Sequence, residues 1–143
     1  MEADMSYRRV LVAVAQAPDS IKLVEKAIAI VRPYQGEITL LTLCNEADLC
    51  SSFAGSMLGS LRELIHEEAN LFLEQLRSQA DYPISRTIVC NGELADGVIY
   101  ACNESPVDLV ICGNHCEGFL KRILNSATHI IDKTHTDVLI VPL

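Results

Sequence analysis

Apolar residues come along this chain in two alternating rhythms. Residues 9–15 (RVLVAVA), 37–44 (EITLLTLC), 84–90 (ISRTIVC), 107–112 (VDLVIC) and 137–141 (DVLIV) are short runs rich in Val, Ile and Leu. Runs of this length with little polar alternation suit parallel strands covered on both faces. Between them the apolar positions recur every three or four residues. After Pro18, which suits the first turn of a helix, Val24, Ala27, Ile28 and Val31 fall on one side while Lys22, Glu25 and Lys26 face water; Asp19 and Ser20 favour the start, and Pro33 stops the helix after Arg32. A long amphipathic helix is expected over 56–80, with Leu58, Leu61, Ile65, Ala69, Phe72 and Leu76 as its stripe and Glu63, Glu67, Glu74 and Arg77 outside. Two further helices are expected, over 93–103 (Leu94, Val98, Ala101 and Cys102 inward) and over 126–133. Strands alternating with helices in this way predict an α/β fold: one doubly wound, five-stranded parallel sheet with helices on both faces, without repeat or linker.

Charge narrows the class of protein. The 143 residues carry 11 Lys and Arg against 19 Asp and Glu, a net charge of −8. Nucleic acids and anionic membranes call for a basic face, so neither is expected as a partner. The opening MEADMSYRRV contains no apolar leader core, and no run approaches the ~18 apolar residues of a membrane span, which predicts a cytoplasmic protein. Residues 1–6 are expected to be an N-terminal extension, with Met5 a candidate original start and Met1 to Asp4 an added or upstream-start segment, and residues 7–143 the domain.

In a doubly wound sheet, ligands sit at the carboxyl ends of the strands where the strand order reverses. Two loops meet there, the one after the first strand (Ala15, Gln16, Ala17) and the one after the fourth, 113–127. A phosphate in such a place needs glycine for close backbone approach and a helix start with hydroxyl or small residues. Gly113 meets the first need, Ser126 the second as an N-cap, and Lys121 and Arg122 carry compensating charge. The same residues equally make an ordinary turn and an ordinary cap.

The stretches YRRVLVAVAQAPDS (7–20), VDLVICGNH (107–115) and THTDVLIVPL (134–143) resemble the universal stress proteins, over residues 7–143. The resemblance implies a Rossmann-like sheet of the adenine nucleotide alpha hydrolase type. Many members of the family bind ATP through an Asp at the end of strand one and a G-x2-G-x9-G-[ST] loop after strand four. Here the Asp position is Ala15. Gly113 keeps the first glycine, Cys116 stands at the second, Ser126 at the third, and Ala127 at the Ser/Thr. The pattern is similar to the UspA-type branch (UspA/UspC-like), which does not bind ATP. With one of these five positions retained, the degenerate site implies no tight ATP binding and no cofactor; Gly118, two residues late, does not restore the register. Loop residues 114–124 become a candidate surface for partners.

Six cysteines, at 44, 50, 90, 102, 112 and 116, are expected to be reduced in such a chain. Cys112, His115 and Cys116 have metal-like spacing, but a closed zinc site needs four ligands and no second pair is near; His129 and His135 flank the last helix. No metal is expected. Cys116 beside Lys121 and Arg122 is a candidate redox-sensitive thiol. His66, Glu67 and Glu68 have no partner motif and are expected on a solvated helix face. The last strand, from Asp137 to Leu143, is expected at a sheet edge with Pro142 limiting it, and the resemblance implies a homodimer through it. With no nucleophile–base pair, paired carboxylates or intact phosphate loop, catalysis is not expected. The expectation is a cytosolic stress protein acting through unidentified protein partners in osmotic, oxidative or DNA-damage tolerance. The alternative is a nucleotide-binding switch or weak ATPase using the loop from Gly113 to Ala127.

Overall fold

The computed structural model describes residues 7–44, 57–91, 94–113 and 136–143, with side-chain surroundings given outside 57–60 and 91–95. Its elements are β1 (Arg9–Val14), α1 (Ile21–Val31), β2 (Glu37–Cys44), α2 (Met57–Gln79), β3 (Arg86–Asn91), α3 (Leu94–Glu104), β4 (Leu109–Gly113) and β5 (Asp137–Val141). The five strands form one parallel sheet in the order β3-β2-β1-β4-β5. The helix expected over 126–133 lies outside the described residues.

β1 and β4 carry no polar alternation because both of their faces are covered. In β1, Val10, Val12 and Val14 pack with Leu23, Val24, Ala27, Ile28 and Val31 of α1 and with Leu73 and Leu76 of α2. Leu11 and Ala13 point the other way, toward Val98 and Ala101 of α3. Side chains alternate across a strand, so consecutive valines and leucines feed two cores.

Boundaries differ from the sequence expectation where prolines and side chains intervene. Pro18–Ser20 and Arg32–Tyr34 form single 3-10 turns flanking α1, so the α-helix proper begins three residues after Pro18 and ends before Pro33. β3 starts at Arg86 rather than residue 84; Ile84 is buried beneath α2, and its carbonyl accepts a hydrogen bond from Arg77 Nη2 at 3.1 Å. On α2, Ile65, Ala69, Leu73 and Leu76 are buried and Phe72 packs beside them. Leu73 therefore joins the predicted stripe, while Leu64 and Leu71 point outward.

Side chains close the amino end of the sheet. Asp108 Oδ2 accepts the N–H groups of Arg8 (3.1 Å) and Arg9 (3.0 Å), and Arg9 Nε lies 3.6 Å from Glu37 Oε2. A groove of about 550 Å³ opens there between Arg8, Arg9, Tyr34, Gln35, Glu37 and Asp108. Gln35 takes a left-handed φ of 55°, and the next residue must be glycine: a Cβ on Gly36 would stand 2.5 Å from the Arg8 carbonyl oxygen.

Candidate functional site

The strand order reverses between β1 and β4, so the carboxyl ends of those two strands define the candidate site. Ala13 is paired with Cys112, which sets Gly113 level with Val14 and one residue short of Ala15. On its other side Gly113 is paired with Val141 of β5. The two sequence-predicted positions within the described residues, Ala15 and Gly113, are thus brought together at one end of adjacent strands. Cys116, Ser126 and Ala127 lie outside the described residues, as do His115, Lys121 and Arg122.

The β1 corner is bonded to itself. The Ala15 carbonyl accepts two hydrogen bonds, from Ser20 Oγ at 2.6 Å and from the Ala17 N–H at 2.8 Å. The Ser20 N–H in turn donates to the Ala17 carbonyl at 3.1 Å. Ser20 is fully buried, so its hydroxyl reaches back under the loop instead of capping α1 at the surface. One residue earlier, the Val14 carbonyl accepts Thr42 Oγ1 at 2.7 Å from the paired position on β2. Thr42 is also buried. A buried hydroxyl needs such a partner, and here the partners are strand-end carbonyls. Neither Ser20 nor Thr42 was singled out as a site residue from sequence. The available signals were a polar residue within the apolar run of β2 and a serine directly after Pro18-Asp19.

The β4 corner is apolar. Cys112 is buried among Ala13, Val110, Val138 and Ile140, its thiol directed at the Leu139 carbonyl at 3.8 Å. Burial pushes this thiol up to about 12 from 9.0, so it is a neutral packing group rather than a nucleophile. Cys90, also raised by burial, lies against Gly97 of α3. Cys90 and Cys112 are free thiols. Glu67 and Glu68 are exposed on α2 and His66 is half-buried.

A doubly wound α/β sheet with its corner at β1 and β4 places the chain in a Rossmann-like class whose members use that corner for ligands. The chain belongs to the universal stress protein family, whose sequence model matches residues 6–142. It is 44% identical to universal stress protein C of Salmonella typhimurium over 97% of this chain and 98% of that protein. It is 37% identical to universal stress protein A of the same organism, over 97% of this chain and 96% of the relative. Among solved structures it is similar to a universal stress protein crystallised in complex with cAMP, with a TM-score of 0.59 at 19% identity, covering 96% of this chain and 98% of that one. Membership in this family supports a role in the stress response. Among the described residues no helix is long and apolar enough to cross a membrane.

Proposed function

We propose that this protein is a non-catalytic, cytoplasmic universal stress protein that acts by binding other proteins, and that its nucleotide corner does not hold ATP tightly. The observation that carries the reading is the corner at Ala15. No carboxylate stands at the end of β1, and the Ala15 carbonyl already accepts two internal hydrogen bonds. A ligand there would compete with a buried hydroxyl for an acceptor that is already satisfied. Cys116, Ser126 and Ala127 at the motif positions of the following loop add side chains where family members that bind ATP have glycine, and remove a hydroxyl where they have Ser or Thr.

The working unit in this reading is a homodimer formed through the edge of β5, from Asp137 to Leu143. The strand is the last of the sheet, and Leu139 is 37% exposed on it. An apolar edge strand with open backbone groups favours pairing with a second copy. Tolerance of osmotic, oxidative or DNA-damage stress then follows from contacts made by the dimer with other proteins.

The second reading is a nucleotide-binding switch or weak ATPase using the loop from Gly113 to Ala127. It is favoured by the cAMP complex of a protein sharing this fold. Native mass spectrometry of freshly purified protein separates the two. An empty dimer is expected; co-purified nucleotide at stoichiometric occupancy overturns the first reading, and a monomeric mass at micromolar concentration overturns the dimer.

A further inference from the structure

The outer face of α2 carries two large apolar side chains that the fold does not use. Leu64 is 52% exposed and Leu71 63% exposed. Single exposed leucines are ordinary on protein surfaces. These two stand seven residues apart, two helical turns or about 10 Å, on one line of the helix. Between them on the same face are Glu67 and Glu68, both exposed, and the line continues through exposed Gln75 and Ser78. The helix has two cations, Arg62 and Arg77, and at about 100° per residue both fall on the order of 130–170° away from the leucine line. Arg77 is visibly turned aside, its guanidinium on Glu74 at 3.4 Å and on the Ile84 carbonyl at 3.1 Å.

We propose that this Leu64–Glu67–Glu68–Leu71 face is a docking ridge for a basic amphipathic helix of another protein, one that places apolar residues at seven-residue spacing against the leucines and Lys or Arg against the glutamates. Seven-residue spacing is the repeat by which helices pack in a shallow left-handed crossing, with charges beside the apolar seam choosing the partner. Charge complementarity decides the occupant. A second copy of this face would set Glu67 and Glu68 against their own kind, and an anionic partner would meet the same repulsion. The net charge of −8 extends the preference over longer range. The proposal rests on the protein-binding reading above and specifies its surface.

The test uses the intact protein and two synthetic helical peptides, each with leucines at seven-residue spacing. One is flanked by lysines and the other, its mirror in charge, by glutamates; binding is followed by fluorescence anisotropy. The lysine peptide is expected to bind, and the glutamate peptide to bind at least tenfold more weakly. The L64S/L71S pair should weaken the lysine peptide about tenfold or more, equivalent to about 1.4 kcal/mol. The E67K/E68K pair should reverse the preference between peptides, a result that loss of folding does not produce. Equal binding of the two peptides, or binding of the lysine peptide unchanged in both variants, overturns the ridge. So does a fall in oligomeric mass in L64S/L71S, which would assign the face to self-association. Bound nucleotide in native mass spectrometry would overturn the functional reading and leave these outcomes intact, so the two failures are distinguishable.

Discussion

Replacing Ser20 by Ala tests whether the candidate corner is held by its own hydrogen bonds. The substitution removes one buried hydroxyl that donates to the Ala15 carbonyl at 2.6 Å. It leaves that carbonyl with a partner, the Ala17 N–H at 2.8 Å, so no acceptor is orphaned. The loss is therefore the net worth of one intramolecular hydrogen bond, about 1 kcal/mol, rather than the larger cost of a buried unsatisfied group, about 1–3 kcal/mol. The space vacated is a single oxygen, too small to add a large cavity cost. Urea unfolding at one fixed protomer concentration reads the difference, since the proposed dimer would make apparent stability concentration-dependent. With an m-value of about 2 kcal/mol/M, the midpoint should fall by about 0.5 M with m unchanged. A midpoint shift below ~0.1 M would mean that the corner is not held by this bond. A loss of more than ~3 kcal/mol would mean that Ala15 depends on Ser20 alone, and the double acceptance at its carbonyl would be refuted.

Gly36→Ala should destabilise by about 1–3 kcal/mol, because the added Cβ meets the Arg8 carbonyl oxygen at 2.5 Å and that oxygen is fixed by the Glu37 N–H at 2.7 Å; an unchanged urea midpoint would contradict the close approach. Cys112 gives a pH dependence with a definite sign. Its folded value is raised to about 12 from 9.0, so its contribution is fully present below about pH 9 and is lost as pH rises from 9 toward 12, at about 1.4 kcal/mol per pH unit. Comparing urea midpoints of wild type and C112A between pH 8 and 11 isolates it: the wild type should fall more steeply, and parallel curves would refute the assignment. At the corner, A15D alone should create no measurable ATP binding, whereas A15D/C116G/S126G/A127S should; calorimetric titration that finds equal affinity in both would disconnect the motif positions from nucleotide binding.

The five strands and their faces were legible in the sequence because burial on both sides leaves few polar residues in them. The bounds of β5 agree with the expectation, and those of β1 agree to within one residue. The approach of Ala15 and Gly113 was legible too, since it depends only on strand order and not on any side chain. The inner face of α2 was harder. Leu61, Leu64, Ile65, Leu71, Phe72, Leu73 and Leu76 spread over a wide arc, so the spacing picks out Ile65, Ala69, Phe72 and Leu76 but leaves out Leu73. What sets the inner face is the surface presented by the sheet, where Cys44 and Val89 receive Ile65 and Ala69 and the α1 core receives Leu73 and Leu76. Ser20 and Thr42 escaped for a related reason. Their partners are backbone carbonyls, Ala15 five residues before Ser20 and Val14 opposite Thr42 on the paired strand, and a carbonyl leaves no trace in residue type.

The distribution of polar contacts also bears on where function lies. Thr42 and Ser20 occupy the carbonyls at the carboxyl end of β1. At the amino end, Asp108 holds the Arg8 and Arg9 N–H groups, Tyr82 donates to the Gly36 carbonyl, and Thr136 donates to the Val107 carbonyl. These side chains complete strand ends and make the sheet a fixed platform, although Arg86 Nε on β3 is buried without a hydrogen-bond partner. The features without a role in that platform are on its outside: the leucine–glutamate line of α2 and the apolar edge of β5. Interaction surfaces combine an apolar anchor with charge that selects the partner. The outer face of α2 has both, whereas the carbonyl of Ala15 at the corner between β1 and β4 is already occupied by two internal hydrogen bonds. That contrast is what supports the proposal that the outer surfaces of the domain bind other proteins.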